Sequence, residues 1–113
     1  MKLDEYQKFC LDTAFFIGSE DIREEAYLTI ALSGEVGELA NWVKKWFRDE
    51  PRSPEENAEL FKRMKGELGD ILWYVAVLSH QLGYSLDEIV EYNKEKIKRR
   101  IENGTQRGSG DNR

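Results

Sequence analysis

Apolar residues recur at helical spacing along most of the chain, and no segment alternates apolar and polar positions as a strand would. Leu28, Leu32, Leu39, Trp42 and Trp46 fall on one side of a helix. Leu60, Met64, Ile71, Val75 and Leu78 fall on one side of another. The punctuation between these stripes predicts four helices. The first covers 4–17 and stops before GSED. Ser19 caps the second, which runs to Arg48 with Asp21 in its first turn to suit the helix dipole. After the break DEPRSP, the Ser53, Pro54 and Glu56 pattern is a capping box; it opens a third helix that continues to Leu82 and stops at Gly83. SLDE at 85–88 is a second capping box, and the helix it opens ends near Ile101. Four helices with short joins predict an all-α four-helix bundle, one domain over 1–103, with a flexible polar tail over 104–113.

The third helix is apolar over most of its circumference between residues 71 and 78, where Trp73 and Val77 face away from the main stripe. A helix with one wet side would not be built this way, so either the other helices wrap it or a second subunit covers it. In so short a chain, the pattern favours a homodimer or homotetramer centred on helices 2 and 3, which completes the bundle.

Composition narrows the setting. Seventeen basic against twenty-two acidic residues give a net charge of −5, which disfavours coating a nucleic-acid polymer. The apolar run ILWYVAVL is far short of a membrane span, and MKLDEYQ holds no signal peptide, so a soluble cytoplasmic protein is expected. The single Cys10, between Phe9 and Leu11, reads as core filler.

Within GEVGEL, Glu35 lies in the middle of the apolar stripe of helix 2 and Glu38 at its edge. Helix 3 repeats the arrangement in GELGD, with Glu67 beside Met64, Leu68 and Ile71, and Asp70 three residues on. Residues three apart point the same way one turn apart, so each helix brings an acidic pair to the margin of an apolar face. Pairing with Lys44, Lys45, Lys62 or Lys65 on a solvated face would account for one such pair. Two pairs, each flanked by glycines (Gly34, Gly37, Gly66, Gly69), call for more, because a helical glycine costs about 1 kcal/mol relative to alanine. They suggest close approach of a backbone or a ligand. Four carboxylates repel one another unless a cation neutralises them, and an all-oxygen set points to Mg²⁺, with Mn²⁺ as a substitute. A di-iron bundle would need E-x-x-H pairs, and His80 is the only histidine.

E-x-x-E at Glu35 and Glu38 followed by E-x-x-D at Glu67 and Asp70 resembles the all-α nucleoside triphosphate pyrophosphohydrolases of the MazG-like superfamily, in its small phage and bacterial branch. YQKFCLDTA, SGEVGELANWVKK, ELGDILWYVA, NKEKIKRR and GTQRGSGDNR each resemble segments there, so the likeness runs nearly end to end. Many relatives carry a further Glu where this chain has Gly34. The resemblance implies a Mg²⁺-dependent enzyme that cleaves an NTP or dNTP to a monophosphate and pyrophosphate, in nucleotide-pool housekeeping. Glu35, Glu38, Glu67 and Asp70 would be the metal ligands, with Glu38 and then Glu35 as candidate bases.

The phosphates need cations. Asn93, Lys96 and Arg100 share a face of helix 4 with Leu86, Ile89 and Ile97, in the only basic concentration of the chain. A solvated helix end matched to its dipole is the plain alternative. The resemblance favours Asn93 and Lys96 as phosphate contacts; Lys44 and Lys45 are weaker candidates. It also suggests that the tail folds over the nucleotide through Asp111 and Arg113. For the base, Trp42, Trp46, Phe47, Trp73 and Tyr74 offer rings, and Gln7 and Thr13 offer hydrogen bonds. Two other readings stand beside this one. One is a hydrolase of the same superfamily acting on dUTP, dUDP or a phosphoribosyl-nucleotide. The other is a non-catalytic helical interaction module.

Overall fold

A computed structural model of the chain describes residues 1–15, 24–49 and 52–113. Helix α1 spans Leu3–Thr13, α2 Glu24–Arg48, α3 Pro54–Gln81 and α4 Leu86–Glu102, and no strand occurs among the described residues. The all-α expectation holds. Helix α1 ends four residues earlier than its apolar pattern suggested, because Ala14 turns to an extended backbone and the Thr13 hydroxyl bonds back to the Cys10 carbonyl at 2.8 Å. The expected cap at Ser19 and first-turn Asp21 lie outside the described residues.

The helix ends follow their local chemistry. Ser53 caps α3 by accepting from the Glu56 amide at 3.1 Å, with Pro54 just inside. The predicted box is only half closed: Glu56 takes the Ser53 hydroxyl proton rather than the Ser53 N–H. At α4 the box is complete, with Glu88 N donating to Ser85 Oγ at 3.1 Å and Ser85 N to Glu88 Oε1 at 3.3 Å. Both α3 and α4 close in Schellman motifs. Gly83 (φ +90°) follows α3, with Tyr84 N donating to Ser79 O; Gly104 (φ +66°) follows α4, with Thr105 N donating to Arg100 O.

Helices α2 and α3 pack along their lengths as a hairpin, while α1 and α4 pack on α3 and on each other and, among the described residues, make no close backbone approach to α2. Cys10, Leu28, Ala76, Val77 and Leu86 form the buried core, with Tyr6, Trp73, Tyr74 and Leu78 against it. Cys10 is core filler, its thiol pushed up by burial. Val77, expected to need covering, is wrapped by the protomer's own helices. Gln7 stitches the ends together: its amide donates to Ala76 O and Tyr84 O, both at 3.1 Å, and accepts from Leu86 N at 3.2 Å.

Burial is incomplete elsewhere. The surface of 8503 Å² compares with about 6,400 Å² for a compact monomer of this mass. Phe61, Leu68 and Leu72 lie on one exposed face of α3, and Val36 and Phe47 on one exposed face of α2.

Candidate functional site

The two E-x-x-(E/D) pairs face each other across the α2–α3 hairpin. Glu35, Glu38 and Glu67 bring carboxylate oxygens within 4.8 Å of one another. Asp70 stands outside this trio but acts on it, and it lines a cavity with Glu35. No ion pair among the described residues joins any of the four to a lysine or arginine, and Glu38 and Asp70 are exposed while Glu35 and Glu67 are partly buried. The electrostatic consequence falls on Glu35. Burial first, then the charges of Asp70 and Glu38 and a hydrogen bond with Glu67, raise its carboxyl above the ordinary range. A half-buried carboxylate pushed toward its neutral form by like charges is what a divalent cation would relieve, and hard oxygen donors suit Mg²⁺ or Mn²⁺.

A cavity opens on each side of the cluster. One, of about 320 Å³, is lined by Thr13, Phe15, Glu35, Asp70, Trp73 and Tyr74. Across its wall the Trp73 indole donates to Thr13 Oγ1 at 2.9 Å, which ties α1 to α3. Burial, with the nearby Tyr27, Glu35 and Asp70, raises the Tyr74 phenol, so it keeps its proton as a donor. The other cavity, of about 410 Å³, is lined by Gly34, Gly37, Glu38, Asn41 and Trp42. A methyl group added at Gly34, Gly37, Gly66 or Gly69 would meet nothing within 4 Å. Close helix packing within one protomer is therefore not why these glycines are there. At Gly34 and Gly37 the space is the cavity itself.

Trp42 is tied into the cluster. Its indole N–H donates to Glu67 Oε1 at 3.3 Å, while Lys45 Nζ sits 4.5 Å and the Arg63 guanidinium 5.6 Å from its ring. The indole thus carries two cations near its ring while its N–H fixes one oxygen of Glu67.

The other sequence-derived candidates are dispersed. Gln7, considered for the base, is buried and has spent its amide on three backbone groups. Lys44 and Asn93 are exposed. Lys96 and Arg100 lie on α4, whose backbone does not approach α2 among the described residues, and both hold Asp111, at 3.3 and 3.4 Å. Arg113 bonds the tail's own carbonyls. Phe15 and Asn41 line the cavities without having been singled out from sequence. Asn41, three residues beyond Glu38, could have been found as the next polar position on that face; Phe15 follows the unforeseen end of α1.

Among the described residues no helix is long and apolar enough to cross a membrane. No solved structure matches the chain. The Gene 37 protein of Mycobacterium phage L5 is 41% identical, over 100% of both chains. The uncharacterised protein YvdC of Bacillus subtilis (strain 168) is 34% identical, over 63% of this chain and 70% of its own length. A profile of the MazG nucleotide pyrophosphohydrolase domain matches residues 23–105, a span that contains both acidic pairs and all of α4. The chain belongs to the MazG nucleotide pyrophosphohydrolase family.

Proposed function

We propose that the protein is a Mg²⁺-dependent nucleoside triphosphate pyrophosphohydrolase, cleaving an NTP or dNTP between the α and β phosphorus atoms. It acts on free nucleotides of the cytoplasm, keeping their pool in order. The observation that carries this reading is the trio of carboxylates, without basic partners among the described residues, two of which, Glu35 and Glu38, each line a cavity. Glu35, Glu38, Glu67 and Asp70 would hold the metal, which would supply neutralising charge for the phosphate oxygens. Trp42 keeps Glu67 aimed inward through its indole bond. Glu38, exposed toward the second cavity, takes the proton of the attacking water; the oxygen bonds to the α phosphorus as the bond to the β-phosphate oxygen breaks and pyrophosphate leaves. The aromatic cavity, with Trp73 and Tyr74 as walls and Thr13 at its rim, receives the nucleoside. Lys96 and Arg100, with Asn93 beside them, hold phosphate oxygens.

The apolar faces of α2 and α3 belong to an even-numbered homo-oligomer, dimer or tetramer. A chain that sediments as a monomer at micromolar concentration would overturn that part. The activity is tested with a panel of NTPs, dNTPs, dUDP and phosphoribosyl-nucleotides in Mg²⁺, scored for product. Pyrophosphate with a nucleoside monophosphate is expected. Orthophosphate as primary product would place the attack at the terminal phosphorus and refute the mechanism, and no turnover on any member would favour a helical interaction module.

A further inference from the structure

The segment after α4 is glycine-rich and polar, yet it folds back on the helix. After Gly104, the Gly108 N–H bonds Thr105 O at 3.0 Å, and Gly110 takes a positive φ of +83°. Arg113 then reaches back to three carbonyls: Thr105 at 3.2 Å, Gly110 at 2.6 Å and Gln106 at 3.4 Å. A side chain at Gly108 would lie 2.8 Å from Arg113 Cδ, so glycine there leaves the arginine its path. This fold presents Asp111 to α4, where its Oδ1 alone accepts from both Lys96 Nζ (3.3 Å) and Arg100 Nη2 (3.4 Å).

That carboxylate is a poor match for what it touches. The Lys96 and Arg100 side chains are only 18% and 12% exposed, whereas Asp111 is 82% exposed. The cations are set into the helix surface and the anion is the exposed partner. Arg100 Nε is buried and has no acceptor among the described residues, although Nε and Nη2 form the edge with which a guanidinium grips two oxygens of one anion. Asp111 shares the Nη2 half of that fork with the Gly110 carbonyl, each accepting at 3.4 Å. With the tail displaced, a phosphate group, with three oxygens at tetrahedral spacing, offers acceptors to Nε, Nη2 and the lysine ammonium together.

We infer that Asp111 is a built-in competitor for phosphate: the tail carboxylate occupies the Lys96–Arg100 anion site in the empty enzyme, and a phosphate group of the nucleotide exchanges for it and frees the tail. This rests on the assignment of Lys96 and Arg100 to phosphate. It reverses the expectation that the tail closes over the nucleotide. The lysine and arginine hold the Asp111 carboxyl below its ordinary range, so the competitor is charged at neutral pH. Exchange also exposes the tail's backbone bonds to water, which makes hydrogen exchange a direct readout.

The test uses inorganic pyrophosphate as the probe, with chelator to remove divalent ions, at low ionic strength, by titration calorimetry on the full chain. Asp111→Asn is expected to bind it about three- to tenfold more tightly than the native chain, the range for losing two weak ion pairs. The gain should shrink in a Lys96→Ala background, where one of the carboxylate's two cationic partners is gone and only Arg100 remains. In the native chain, pyrophosphate should speed amide exchange at Gly108. Unchanged or weaker binding by Asp111→Asn, no pyrophosphate binding by either chain, or slower exchange at Gly108 would each overturn the inference. The outcome separates from that of the hydrolase proposal. Nucleotide turnover with no gain from Asp111→Asn removes the competitor and leaves the enzyme. The gain without turnover leaves the competitor and removes the enzyme.

Discussion

Replacing Gln7 with leucine asks whether this buried amide holds the fold or the ligand. Leucine keeps most of the volume and removes all three hydrogen bonds. The Leu86 N–H, ahead of the first intrahelical bond of α4, is left buried without its acceptor, at a cost of about 1–3 kcal/mol. The Tyr84 carbonyl is part-buried, and the Ala76 carbonyl lies mid-helix where the backbone ladder still serves it, so these two losses are worth about 1 kcal/mol or less each. The sum is about 3 kcal/mol, a large share of the roughly 10 kcal/mol expected for a chain of this length. The melting temperature of Gln7→Leu should fall by about 10 °C. Melting followed by circular dichroism at one fixed protein concentration measures it, since self-association would make the midpoint concentration-dependent. Well below the midpoint, KM for the best nucleotide should match the native value. A midpoint within a degree or two of native, combined with a raised KM, would show that Gln7 serves the ligand and refute the reasoning.

Trp42→Phe should weaken Mg²⁺ binding by about tenfold, by direct titration, because Glu67 loses the N–H that orients it; unchanged metal affinity would make Trp42 only a packing residue. The metal-free protein should lose stability as pH rises through the window that begins near the ordinary glutamate value of about 4.3. In that window native Glu35 still holds a proton that the unfolded chain has released, so the native state binds more protons and rising pH favours unfolding. Melts in chelator from pH 4 upward (about the ordinary carboxylate range) should show this fall, Glu35→Gln should flatten it, and Mg²⁺ should offset it near neutrality; a native curve parallel to the variant's would exclude the repulsion.

What could be read in advance divides by range. Ser53, Pro54, Ser85, Glu88 and Gly83 act within a few residues of themselves, so the starts of α3 and α4 and the end of α3 were legible. The i,i+3 spacing likewise put each acidic pair on one face. It could not set the distance across two helices, and so could not separate Asp70 from the trio of Glu35, Glu38 and Glu67. Gln7 looked like a free polar residue because its three partners lie 69 to 79 positions away. The tail read as flexible until nucleotide binds because composition registers the freedom of glycine, while Gly104 and Gly110 use that freedom for two specific turns.

All four acidic residues sit on α2 and α3, two helices adjacent in sequence that pack on each other, whereas the Thr13 rim of the aromatic cavity and the Lys96–Arg100 site belong to α1 and α4, whose backbones approach α3 and not α2 among the described residues. A lineage could therefore revise its outer helices by recombination or drift while inheriting the acidic hairpin intact. For protein engineers the same separation suggests chimaeras: α1 and α4 exchanged between relatives, with the hairpin as the constant module.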